Sequence, residues 1–175
     1  MNEQQVSSLF TLPASVTIDS RLRITHFKIL NNIIPTNEWL ARIGRKNSSL
    51  CSFCNATSET MDHLFYTCPK IAPFWNALRR RATNFNPNYF LSCKQIVFGI
   101  TEPRSQANSA FNFLTLLGKQ FILRCKYQET TPSLKQFNYY ILSYKSTEED
   151  IAKKKNKFEK HMTKWQNISK YFCVA

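Results

Sequence analysis

The stretch Cys51-Ser52-Phe53-Cys54-Asn55-Ala56-Thr57-Ser58-Glu59-Thr60-Met61-Asp62-His63-Leu64-Phe65-Tyr66-Thr67-Cys68 decides how this chain folds. Two residues between Cys51 and Cys54 let both thiolates of one tight turn reach a single cation. His63 and Cys68 follow on a second element, read here as a helix carrying Met61, His63, Leu64 and Phe65. Three thiolates and one imidazole complete a tetrahedron and leave no open position, which suits one structural Zn²⁺ rather than a catalytic one. Phe53, Leu64 and Phe65 are expected to roof the metal. Because ligation and folding are coupled, loss of the ion is expected to unfold roughly residues 20 to 80.

Working outward, the pattern is helical. Upstream, Asp19 or Ser20 caps an expected helix to about Ile33, with Leu22, His26, Ile29, Leu30 and Ile33 on one face, and Pro35 stops it. A short helix from Glu38 to Ile43 ends at Gly44. Residues 1 to 18, polar and β-branched with Pro13, read as a flexible, frayed lead-in. Downstream of Pro69 a helix carries Phe74, Trp75 and Leu78 into Arg79-Arg80-Arg81, and Asn84-Phe85-Asn86-Pro87-Asn88 marks a boundary. Four further helices are expected. They run from Tyr89 to Phe98, over the apolar stretch from Ser105 to Tyr127, from Pro132 onward, and from a cap at Thr147 with Glu148, Glu149 and Asp150 in its first turn. The fold class is therefore mainly α: a helical domain with an embedded Cys-Cys-His-Cys zinc knuckle, followed by a helical bundle. The expected division is 1–18 lead-in, 19–84 zinc-binding domain and 85–175 helical extension.

Composition narrows the function. Fourteen Phe and 43% hydrophobic residues in 175 exclude a disordered chain, and three Gly disfavour architectures rich in tight turns. Twenty-four Lys and Arg against eleven Asp and Glu give a net charge of +13, which attracts polyanions. The start, Met1-Asn2-Glu3-Gln4-Gln5, has no basic segment leading into an apolar one, and no run is long enough to span a bilayer. An intracellular protein, cytoplasmic or nuclear and without a membrane partner, is expected. Cys93, Cys125 and Cys173 stand apart among apolar residues and read as buried free thiols. Neither His26 nor His161 has a neighbouring nucleophile in sequence, and three glycines build no phosphate-cradling loop. No catalytic residues are expected.

From Arg21 to Leu78 the chain resembles the zinc-binding region near the C-terminus of non-LTR (LINE-type) retrotransposon reverse transcriptases. The resemblance rests on Ile34-Pro35-Thr36 with Leu40, on Cys51 and Cys54, on Glu59-Thr60-Met61-Asp62-His63-Leu64-Phe65 with Cys68, and on Phe74-Trp75. Val97-Phe98-Gly99-Ile100 and Leu117-Gly118-Lys119-Gln120-Phe121-Ile122 resemble the C-terminal extension of such polyproteins. The resemblance implies an RNA- or DNA-contacting accessory module, a C-terminal fragment of an RNA-copying enzyme or the remnant of a decayed element. It does not imply the polymerase, whose paired aspartates are missing.

Three basic groups are the expected nucleic-acid contacts: Arg42, Arg45 and Lys46 beside the knuckle; Arg79, Arg80 and Arg81; and a lysine helix with Lys153, Lys154 and Lys157, together with Lys155, Lys160 and Lys164. Phe53, Tyr66 and Trp75 are weighed as stacking groups, with core packing favoured for Phe53 and Trp75. The other reading is a protein-interaction module that docks on the polymerase body, with zinc holding its shape.

Overall fold

The computed structural model describes residues 3–83, 92–101 and 105–172. They form α1 (Glu3–Val16), α2 (Ser20–Leu30), α3 (Asn37–Arg42), a short π-helical turn (His63–Thr67), α4 (Ala72–Thr83), α5 (Cys93–Phe98), α6 (Gln106–Tyr127), α7 (Leu134–Lys154) and α8 (Phe158–Phe172). Among the described residues no strand occurs; the one extended pairing is an isolated bridge between Leu50 and Ser58. The boundary expected at residues 84–88, and the helix start at Tyr89, lie outside the described residues.

Helix α6 is the axis. It starts at Ser105, whose side chain caps Asn108, and every residue from Ala110 to Lys119 is buried. A helix buried all round must be wrapped on every side, and α1, α2, α7 and α8 pack around this one. Gly118 lets α4 approach, because a Cβ there would stand 2.9 Å from the Trp75 ring. Beside it Phe74 contacts Trp75, Phe121 and Phe137, with ring centroids 4.9, 5.8 and 5.1 Å away. Trp75 is core, and its indole donates to the Phe65 carbonyl at 2.7 Å.

Three expectations change. Residues 3–16 are a helix, with Leu12 and Pro13 buried, not a frayed lead-in. Pro13 lacks the N–H that would bond the Leu9 carbonyl, and the His26 Nε2 fills that place at 3.3 Å. The α2 helix ends at Leu30 rather than Ile33, since Asn32 turns left-handed at φ 55° and Ile33 is left exposed. Thr147-Glu148-Glu149-Asp150 begin no helix. They lie inside α7, where the Thr147 hydroxyl bonds back to the Ser143 carbonyl. Glu148 accepts from Lys164 at 2.6 Å and from the Trp165 indole at 2.8 Å, so it fastens α8 onto α7. The break comes later, with Asn156 at φ 52°.

Below Pro13 runs a buried polar chain. The Lys119 Nζ, on α6, donates to the Val97 carbonyl at 3.0 Å and to His26 Nδ1 at 3.1 Å; both side chains are 1% exposed. Nε2 of His26 must carry its proton to meet Leu9, so Nδ1 is the acceptor and the ring is neutral. Burial, then the Lys119 charge, hold His26 down to about 3, and burial lowers Lys119 to about 7. The unfolded chain keeps the lysine proton up to its ordinary 10.5, whereas the folded chain releases it near 7. The folded state thus binds fewer protons in that window, and its stability rises with pH across it. Thermal melts from pH 7 to 9 should show that rise, and Lys119→Met should reduce its slope; equal slopes would exclude Lys119 as its source.

Candidate metal centre

The knuckle is a hairpin-like loop tied by backbone bonds. Cys51 N donates to the Thr57 carbonyl and Glu59 N to the Ser49 carbonyl, each at 2.8 Å. Asn55 turns the loop at φ 54°, a conformation asparagine tolerates. The second ligand pair rides the π-helical turn, where His63 N bonds the Thr60 hydroxyl at 3.0 Å and Cys68 N the His63 carbonyl at 3.1 Å. The wider π turn sets both side chains on the loop.

The donor atoms of Cys51, Cys54, His63 and Cys68 all lie within 4.8 Å of one another. The Cys51 and Cys68 sulfurs are 3.8 Å apart, and Cys54 Sγ is 3.3 Å from His63 Nε2. Tetrahedral zinc with Zn–S bonds of about 2.3 Å puts two sulfurs about 3.8 Å apart, so the donor set fits that ion. His63 Nδ1 reaches the Thr67 hydroxyl at 3.3 Å, while the Thr57 hydroxyl lies between the two ring nitrogens, 3.3 Å from Nδ1 and 3.2 Å from Nε2. With Nε2 beside Cys54 Sγ, the Thr67 contact is the outer partner that leaves Nε2 as the ligand atom.

The thiols differ in acidity. Burial pushes the Cys51 thiol up, and burial together with the neighbouring Cys51 and Cys54 sulfurs pushes Cys68 up to about 12. Burial also opposes ionisation of Cys54, but the Ala56 N–H, His63 and the Thr57 N–H more than offset it and bring that thiol down to about 6. Two buried, reluctant thiols facing each other are what a divalent cation stabilises as thiolates.

Beneath the knuckle lies Glu59, with 0% of its surface exposed. Its carboxylate accepts from the N–H groups of Asn37 and Ser52, each at 2.9 Å, and forms an ion pair with Lys126 of α6. Lys126 also donates to the Pro35 carbonyl at 3.0 Å. Burial raises the Glu59 pKa, yet Lys126 and the two amides bring it below the ordinary carboxylate range. One carboxylate thereby joins the start of α3, the Cys51–Cys54 turn and the end of α6. Its place in the quoted motif was visible in sequence, whereas Lys126, 67 residues away, gave no signal.

The basic residues stand on separate elements. Arg42 and Arg45 are exposed near the end of α3, and Lys46, also exposed, bonds Asn37 Oδ1 at 2.8 Å. Arg79 and Arg80 are exposed on α4, while Arg81 is half-buried and donates to Asn138 Oδ1 at 2.8 Å. Lys153 pairs with Glu149 at 2.7 Å, and Lys154 and Lys157 are exposed at the α7–α8 junction. Of the weighed stacking groups, Phe53 and Tyr66 are half-buried.

The fold and site define a helical protein whose N-terminal part carries a Cys₃His cluster with the donor geometry of a zinc site. Residues 3–75 match the family described as zinc-binding in reverse transcriptase, which supports a zinc-binding region of that kind in this part of the chain. No curated protein sequence and no solved structure shows a significant match. Among the described residues no helix is long and apolar enough to cross a membrane.

Two outcomes are expected. Cys54→Ser should lose zinc and, by hydrogen exchange, lose protection over 46–68, a narrower span than the 20 to 80 expected from sequence, because α2 and Phe74 are packed on α6 and keep their own protection; unchanged zinc content and unchanged protection over 46–68 would contradict the ligand assignment. Lys126→Met strands a buried carboxylate and should cost about 3–5 kcal/mol in denaturant unfolding of zinc-saturated protein. Adding Glu59→Gln should recover part of that loss.

Proposed function

We propose that this chain is a nucleic-acid-binding accessory module from the C-terminal part of a LINE-type reverse transcriptase, acting in the cytoplasm or nucleus. It holds one structural zinc through Cys51, Cys54, His63 and Cys68 and has no catalytic site of its own. The observation that carries the reading is the set of exposed cations around a metal-held loop. Arg42 and Arg45 are exposed and have no carboxylate partner among the described residues, in a protein with a net charge of +13. Arg79, Arg80, Lys154 and Lys157 add further exposed positive charge on α4 and beyond α7. The reverse-transcriptase kinship of residues 3–75 supplies a setting in which RNA and DNA are both at hand. Zinc shapes the contact surface, and Lys and Arg supply affinity through counterion release.

Another observation favours the docking reading. Ile24 and Phe27 on α2 are about half exposed, and Phe27 leans on an exposed Phe10 with ring centroids 6.2 Å apart. An apolar face of this kind fits contact with the polymerase body.

Fluorescence anisotropy of the zinc-loaded protein with a short single-stranded RNA, across a salt series, separates the two. A steep fall of affinity with salt, lost on zinc chelation, is expected. No binding even at low salt would leave the docking module as the function.

A further inference from the structure

A groove of about 950 Å³ lies away from the knuckle between α2, α6 and α7. Four cations line it: Arg21 and Lys28 from α2, Arg124 from α6 and Lys155 at the end of α7. Two carboxylates also line it, and both are already neutralised. Asp19 is bound by Arg21 at 3.1 Å, and Glu148 by Lys164 and Trp165. Lys28, Arg124 and Lys155 are exposed and have no carboxylate partner among the described residues. Arg124 is held with its guanidinium over the Tyr140 ring, 5.4 Å from the centroid, which leaves its charge directed by an aromatic wall.

The groove does not end there. A second one, about 620 Å³, shares Pro35 and Tyr127 with it and runs to the knuckle, where Ser52 and Asn55 line it. Its charged lining residues are Lys46, Lys126, which Glu59 neutralises, and Glu129. Tyr127 stands at the junction of the two and is 68% exposed. A large aromatic ring standing in solvent where two grooves meet, with exposed cations on one side and hydroxyls, amides, Lys46 and a single carboxylate, Glu129, on the other, has the make-up of a single-strand binding track. Cations meet the phosphates, a ring takes a base, and polar groups meet base edges.

We propose that this joined groove, from Lys155 and Lys28 past Arg124 and Tyr127 to the Ser52–Asn55 turn, is a path for single-stranded nucleic acid. The proposal deepens the nucleic-acid reading above and rests on it. It assigns the contact mostly to residues different from the expected ones, since only Lys46 and Lys155 of those line the path. Arg124 and Lys28 meet phosphates, and Tyr127 stacks on one base at the point where the strand passes from the helical body to the knuckle. The Glu59–Lys126 pair lies under this junction and keeps its two sides in register.

The test is anisotropy binding of the zinc-loaded chain to a short fluorescein-labelled uridine-rich RNA, with zinc content and melting temperature measured for each variant. Tyr127→Ala should weaken binding roughly 5- to 100-fold and Tyr127→Phe should restore it, as stacking requires. Arg124→Glu and Lys28→Glu should each flatten the logarithmic salt slope by roughly 0.7, the single-strand value per phosphate contact. Duplex RNA should compete poorly. The proposal fails if the three groove variants bind like the parent while Arg79→Glu/Arg80→Glu loses affinity, an outcome that keeps the nucleic-acid reading and moves the contact to α4. Equal competition by duplex would overturn the single-strand assignment. A parent protein that binds no RNA at low salt would end both the groove and the reading beneath it.

Discussion

Glu59 is the constraint on which the arrangement of the two parts depends. A fully buried carboxylate is tolerated only where donors surround it, and here they come from three places in the chain: the Asn37 N–H at the start of α3, the Ser52 N–H inside the Cys51–Cys54 turn, and Lys126 near the end of α6. Moving the knuckle relative to α6 would leave either the carboxylate or the ammonium buried and unpaired. The backbone bonds from Cys51 to Thr57 and from Glu59 to Ser49 fix the loop internally. The ion pair fixes the loop to the body.

Around α6 the rest follows from burial. A helix with no solvent face needs a partner on every side, which is why α1 packs on it rather than fraying and why Gly118 yields to Trp75. The exceptional residue in that helix is Lys119, buried and satisfied by a neutral histidine and a carbonyl, with no carboxylate partner among the described residues. His26 in turn repairs the bond Pro13 cannot make. A proline that looks like a breaker in α1 is thus accommodated from α2, and the cost of burying an amine is reduced by the same ring.

Function sits on what this packing leaves outside. Lysines and arginines that the body does not use for pairing remain in solvent, and the ones that share a groove are decided by how α2, α6 and α7 meet, not by their nearness in sequence. Lys28, Arg124 and Lys155 are far apart in the chain and line one trough. Arg79, Arg80 and Arg81 are consecutive, yet Arg81 is turned inward to Asn138 because successive helical residues point about 100° apart.

The sequence by itself determined which four side chains gather as metal donors, the helical class and most helix boundaries, since each depends on local spacing: Cys51 to Cys54 across a turn, Ser105 and Gly44 at helix ends, the apolar run after Ser105. It also carried the family resemblance over the knuckle, because ligands and their flanking residues are contiguous. Its readings failed where a distant partner overrides local propensity. Residues 3–16 are helical because α6 and His26 receive them, and Thr147 to Asp150 stay inside α7 because α8 claims Glu148. The Glu59–Lys126 pair, the Lys119–His26 chain and the groove past Tyr127 were decided only in the tertiary structure. Each joins residues tens of positions apart, and only the burial of α6 brings them together.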